Sequence, residues 1–195
     1  MKAVVCLASA SPRRRALLEQ IGVPHTLASA DIDEARRKNE SPVEYVQRMA
    51  QEKARTVWER QSSLPVLAAD TTVVLDGTVY GKPRDRAHAI EMLSTLSGRT
   101  HQVLTAVALA ISGGTQLRLS DSAVKFRSIP AEECASYWDT GEPRDKAGGY
   151  AIQGLGAVFI ESVTGSYSGV MGLPLFETAE LLRSAGLPCW CTIER

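Results

Sequence analysis

The sequence predicts an α/β protein built on a mixed sheet, and three observations carry this. Short apolar, β-branched runs alternate with amphipathic helical stretches along the chain. The first of these runs passes straight into a helix in "CLASASPRRRALLEQIG", residues 6–22. The stretch "RTHQVLTAVALAISGGTQLRLSDSAVKFRSI" reads as two long strands joined at Gly113-Gly114, and a hairpin rules out an all-parallel sheet. The 195 residues suffice for one domain spanning 1–195 with a substantial core. No internal repeat, low-complexity tract or linker divides them.

The elements follow in order. "AVVCLA" is a short buried strand. Ser11 can N-cap the next helix, Pro12 suits its first turn and Gly22 can close it. Leu17, Leu18 and Ile21 form its apolar stripe. At 100° per residue Arg14 falls in line with that stripe, Arg13 lies near it and Arg15 points away. "PHTLASADIDEA" is a second strand running into an acidic loop with Asp31, Asp33 and Glu34. "SPVEYVQRMAQEKARTVWER" opens with a capping box, Ser41 with Glu44, and Pro42. Lys53 falls at the centre of its apolar face, between Ala50 and Val57. "LPVLAADTTVVLDGTVYGKP" is a strand interrupted by Asp70, an Asp76-Gly77 turn and a short return strand. "RDRAHAIEMLSTLSG" and "PAEECASYWDTG" are helices on either side of the long hairpin. "AGGYAIQGLGAVFIESVTGSY" combines a Gly-rich entry with a β-rich body, and "PLFETAELLRSAG" is the last helix.

Composition excludes several classes. Formal net charge is zero, which argues against nucleic-acid or membrane-surface binding, so any anion site is local. No apolar run reaches the roughly 18 residues of a membrane span, and "MKAVVCLASA" reads as a first strand rather than a leader. Cys6, Cys134, Cys189 and Cys191 are expected as free thiols of a reducing cytoplasm.

Four groups of residues could carry chemistry. A strand-to-helix junction directs free N–H groups and the positive helix end outward; Ser9 and Ser11 add hydroxyls, Arg13 and Arg14 bidentate donors. Together they suit a polyphosphate. Lys53 either snorkels or reaches a buried anion. Lys82, in "YGKP", reads by itself as a loop lysine, and "GTVYGKP" lacks the spacing of a phosphate-binding loop. Asp70 is a structural carboxylate, a metal ligand or a general base; with the acidic loop it would make an oxygen-rich site for Mg²⁺ or Mn²⁺. Gln153, in apolar surroundings, offers the donor and acceptor that match the N3–H and O4 edge of uracil or thymine, though a flipped amide would suit other bases. "GLG" is too short for a dinucleotide fingerprint, and the three histidines show no ligand spacing.

Together, "LASASPRR", "DIDE", "QEKA", "AADT", "GKP", "SGRTHQVLTAVAL", "DKAGGYAIQG" and "GSYSGVMGLPL" resemble, in order and over residues 7–182, the Maf family of nucleoside triphosphate pyrophosphatases. The resemblance implies an elongated mixed sheet flanked by helices, with two lobes around a cleft, of the kind shared with inosine-triphosphate pyrophosphatases. It implies hydrolysis between the α and β phosphates of a nucleoside triphosphate. It makes Asp70 the general base, Ser9, Arg13, Arg14, Lys53 and Lys82 phosphate contacts, and Glu34 a ligand of a divalent metal, with Asp70 as its partner. Arg13, Thr71 and Gln153 would sit where the family selects its substrate. "SPRR" and "YAIQG" resemble the branch acting on dTTP and UTP rather than a sister branch acting on 7-methyl-GTP. The implied role is clearing unwanted nucleotides from the cytoplasm; analogy alone suggests a homodimer. The rival reading is a non-catalytic nucleotide-binding regulator of cell division, which would not need Asp70 and Glu34.

Overall fold

The structure is a computed structural model that describes residues 2–61 and 63–191. Seven strands form one sheet: β1 (Val5–Ala8), β2 (His25–Ala28), β3 (Val66–Leu75), β4 (Thr78–Tyr80), β5 (Thr100–Ile111), β6 (Gly114–Phe126) and β7 (Ile160–Thr164). The order is β2-β1-β3-β5-β6-β7, with β4 paired to β3. β1 pairs in parallel with β2 and β3, and every other pairing is antiparallel. The sheet is therefore mixed, as the hairpin required. The helices are α1 (Pro12–Gln20), α2 (Pro42–Arg60), α3 (Arg86–Leu96), α4 (Ala131–Asp139), α5 (Tyr167–Met171) and α6 (Leu175–Ser184).

Side chains alternate across β3, and the alternation divides the core. Ala68 and Val74 face α2, where Val46, Ala50, Ala54 and Val57 complete one continuous cluster. Leu67 and Ala69 face the other way, against Leu17 and Leu18 of α1 and Leu181 and Leu182 of α6. Val73 and Leu75 share that second side but belong to a separate cluster with α3, α4 and Phe126. Between the two lies a polar band: Thr71, Thr105 and Ser120 stand in register across β3, β5 and β6. α5 covers this band. The Thr105 hydroxyl donates to the Gly169 carbonyl at 2.8 Å, and a Cβ on Gly169 would come within 3.0 Å of Ser120 Oγ. The expected two lobes are these two cores on one face of the sheet.

Ser41 and Glu44 form the predicted capping box, which fixes the start of α2 and thereby the position of Lys53 three turns on. Three local expectations are corrected and one element is new. Ser11 sits at the N-cap of α1, but its side chain makes no capping bond. The hairpin turns at Ser112-Gly113, since Ile111 pairs with Gly114. The stretch after "DK" is not β-rich: it forms 3-10 turns at Ala147–Gly149 and Leu155–Phe159, and only Ile160–Thr164 is strand. Gly148 and Gly149, at φ 69° and 70°, take the chain out of extended geometry. α5 was not anticipated: a five-residue helix containing glycine carries no periodicity, and Ser166, which accepts from the Gly169 amide, starts it.

Candidate active site

A cavity of about 470 Å³ opens where β1 enters α1 and where the polar band crosses β3. It brings together Ser9, Arg13, Arg14, Glu34, Lys53, Asp70, Thr71, Lys82 and Gln153, all singled out by the sequence. The acidic loop contributes only Glu34. Asp31 and Asp33 are exposed and do not line the cavity; Asp33 accepts from the Ala35 amide instead.

The phosphate-like end is built from charged side chains on regular elements. Arg14 turns inward, as its place on the helical wheel required. Its Nε donates to the Gly172 carbonyl at 2.8 Å and its Nη2 to Thr71 Oγ1 at 3.3 Å. Thr71 Oγ1 lies 3.1 Å from the Thr105 hydroxyl, so the polar band carries Arg14. Ser9 Oγ accepts from the Ser11 amide at 3.2 Å and from Arg14 Nη1 at 3.5 Å. Arg13 reaches over the cavity to Asp145, 3.4 Å away, and Arg15 pairs with Glu19 on the outside of α1. Lys82 is exposed at the rim and takes part in no ion pair among the described residues.

Lys53 and Asp70 are each only 8% exposed, and their burial is resolved by pairing. Lys53 Nζ lies 2.7 Å from Asp70 Oδ1 and 2.7 Å from Glu34 Oε1, so a lysine bridges two carboxylates. The Tyr45 hydroxyl donates to the Glu34 carbonyl at 3.1 Å and holds the loop in reach. Partial burial pushes the Glu34 carboxyl up, but the Lys53 ammonium, with Lys82 and Arg14 beyond it, holds it below its ordinary value. Burial, reinforced by the Asp70 and Glu34 carboxylates, pushes the Tyr45 phenol up to about 12. Burial lowers the Arg14 guanidinium from its usual value.

These residues fit one kind of metal site. Among the described residues no group of three or more His, Cys, Asp or Glu side chains could hold an ion by itself. Two carboxylates at a polar cavity are the number Mg²⁺ takes when substrate phosphates and water complete its shell; Lys53 bridges them in this structure, so an ion held there would take the place of that ammonium.

The opposite end differs from expectation. Gln153 is exposed at the cavity lip, not buried among apolar neighbours. It follows Tyr150, Ala151 and Ile152, which are buried. Sequence reasoning missed Tyr45 and Lys146, which line this cavity, and Thr105, which supports Thr71 from behind. A tyrosine on the capped helix four residues past Ser41 was a usable signal; Thr105 and Lys146 gave none. No described helix is long and apolar enough to cross a membrane.

A protein-family model described as Maf-like protein matches residues 4–185. A dTTP/UTP pyrophosphatase of Nitrosomonas europaea is 52% identical over 196 residues, covering 94% of this chain and 95% of that protein. A dTTP/UTP pyrophosphatase of Alkalilimnicola ehrlichii is 54% identical, covering 91% of each. Among solved structures, a nucleoside-triphosphatase described as a dITP/XTP pyrophosphatase from Mycobacterium abscessus overlays with a TM-score of 0.47 at 17% identity, covering 93% of this chain and 96% of that one. An overlay this loose carries no argument about this chain.

Proposed function

The chain belongs to the Maf-like protein family, and we propose that it is a nucleoside triphosphate pyrophosphatase acting on dTTP and UTP. It is a hydrolase that releases the nucleoside monophosphate and pyrophosphate. The observation that carries the reading is the convergence of Arg13, Arg14, Lys53 and Lys82 with a buried carboxylate on one cavity. A pure binder needs the cations but not Asp70 held against Lys53.

In the proposed mechanism the arginines and Lys82 bind the triphosphate, displacing Asp145 from Arg13. Asp70 orients a water for in-line attack on the α-phosphorus and accepts its proton. The new bond joins the water oxygen to that phosphorus, and the bond to the α,β-bridging oxygen breaks. The electron pair leaves on pyrophosphate, whose added charge is offset by Lys53 and the arginines. When bound, a Mg²⁺ or Mn²⁺ ion held by Glu34 and Asp70 would supply further positive charge at the phosphate oxygens. Thr71 and Arg13 shape the path to the base, which Gln153 reads through its amide. The family analogy extends the proposal to a cytoplasmic homodimer that clears unwanted nucleotides.

Pyrophosphate release from dTTP, UTP, CTP, GTP and 7-methyl-GTP, with and without Mg²⁺ or Mn²⁺, tests this. Metal-dependent release mainly from dTTP and UTP is expected. Release mainly from 7-methyl-GTP would overturn the substrate, and binding without release would overturn the enzyme.

A further inference from the structure

The glycines of "YAIQGLG" are not a dinucleotide loop, and the structure gives them another use. Glu142, in the 3-10 turn Glu142–Asp145, sends its carboxylate beneath the segment that bears Gln153. Glu142 Oε1 accepts from the Tyr137 hydroxyl at 2.6 Å and from the Gly156 amide at 3.0 Å. Its Oε2 accepts from the Leu155 amide at 3.0 Å. The Tyr137 hydroxyl in turn accepts from the Ala151 amide at 3.1 Å. The chain is thus fastened two residues before Gln153 and two and three residues after it, all to one Tyr–Glu pair. The glycines make the room. A Cβ on Gly154 would fall 2.0 Å from Glu142 Oε2, and one on Gly156 would fall 2.6 Å from the Tyr137 hydroxyl oxygen.

The pair is itself rigidly seated. Tyr137 is buried in the core beside Phe159, with ring centroids 5.0 Å apart and the rings edge to face. Burial pushes the Glu142 carboxyl up, but its three donors and Lys146 outweigh this and keep it ionised. Burial and the adjacent carboxylate hold the Tyr137 phenol above its ordinary value, so it remains a donor. An ionised acceptor gives each of these bonds more strength than a neutral one would. Neither residue lines the cavity. An exposed glutamine on an unfastened loop would lose orientation, and with it the power to tell one base edge from another.

We propose that Tyr137 and Glu142 are a positioning pair that fixes Gln153 at the cavity lip, and so set which base is accepted without touching the nucleotide. This rests on the reading of the cavity as a nucleoside triphosphate site with Gln153 at its base end.

The test compares wild type, Glu142→Gln, Tyr137→Phe and Gln153→Ala, using UTP and CTP as substrates and inorganic triphosphate as competitor. Glu142→Gln places an amide NH₂ against a ring of donors, and Tyr137→Phe removes the hydroxyl alone. Both are expected to raise KM for UTP about tenfold and narrow the UTP over CTP preference by a similar factor, the scale of one ordinary hydrogen bond. Gln153→Ala should match that loss. In the Tyr137 and Glu142 variants, inhibition by inorganic triphosphate and kcat should stay within about twofold, since neither residue lines the cavity; a merely destabilised protein would lose all readouts together. An unchanged preference in folded Tyr137→Phe or Gln153→Ala overturns the pair, even if Glu142→Gln fails to fold. The ratio is UTP over CTP throughout, read by turnover or, without turnover, by binding. A wild type that prefers a purine would therefore overturn the proposed substrate while leaving the pair to stand or fall on its own ratio.

Discussion

The two ends of the cavity are made differently. The phosphate end uses charged side chains projected from α1, α2 and β3, long regular elements whose starts are fixed by Pro12, by the Ser41 capping box and by strand pairing. The proposed base end is irregular backbone between two 3-10 turns, fastened at Ala151 by one phenol and at Leu155 and Gly156 by one carboxylate. Charge neutralisation tolerates several geometries, because a phosphate can be met from many directions. Base selection does not, since the donor and acceptor must face one edge. On the proposed assignment the looser secondary structure carries the stricter task, and the rigidity comes from a buried polar network.

That contrast can be broken at four points. Asp70→Asn strikes the chemistry at the phosphate end and should lower kcat by about a hundredfold or more with KM little changed; near-normal turnover in the folded variant would remove Asp70 from the mechanism. Lys53→Met leaves Asp70 and Glu34 without their shared cation. A roughly tenfold to hundredfold loss in kcat/KM is expected, equal for UTP and CTP, as for one charge-assisted bond. A change in base preference would contradict the separation of the two ends. Gly154→Ala acts only at the base end. Its Cβ must displace the Glu142 carboxylate, so steady-state rates should show about a tenfold narrower preference between bases and a kcat close to wild type.

The fourth point should leave turnover at neutral pH untouched. His101 is buried under the base end, its Nε2 2.8 Å from the Tyr150 hydroxyl and its Nδ1 without a partner. Burial lowers its pKa from 6.5 to about 4. The unfolded chain then binds the proton first as pH falls, so stability is full above pH 6.5 and is lost on the way down to 4. The contribution is about 2 kcal/mol between pH 7.5 and 5. An NMR titration placing the His101 pKa at 6 or above would refute it.

Much of the cationic end was legible in the sequence, because Arg13, Arg14, Lys53 and Asp70 each violate a local pattern. Arginines crowd the positive end of a helix, Lys53 sits in an apolar stripe and Asp70 interrupts a buried strand. Such violations are visible without coordinates. The mixed sheet was legible through its hairpin. The base end was not, because its partners are backbone amides brought to Glu142 by tertiary turns, and no side-chain pattern encodes them. Gln153 could be picked out as a residue type but not placed; it lies exposed at the lip rather than buried. The bridging of Glu34 and Asp70 by Lys53 was half legible: Asp70 could be set beside the acidic loop and Lys53 against a buried anion, but no pattern joined the three. α5 escaped because five residues cannot show a helical period.

The band of Thr71, Thr105 and Ser120 has a consequence for how the molecule comes apart. On that face no buried apolar side chain spans the boundary between the α1–α6 core and the α3–α4 core. Among the described residues, what crosses it is the sheet, the α2 layer behind it, α5 with its contact to Thr105, and the Arg13–Asp145 pair above the cavity. Opening one core therefore forfeits little of the other's buried area, and the chain holds two cooperative units of local unfolding on a common backbone. Their seam runs through the cavity, so a bound triphosphate, gripped from both sides, would join two melting events into one.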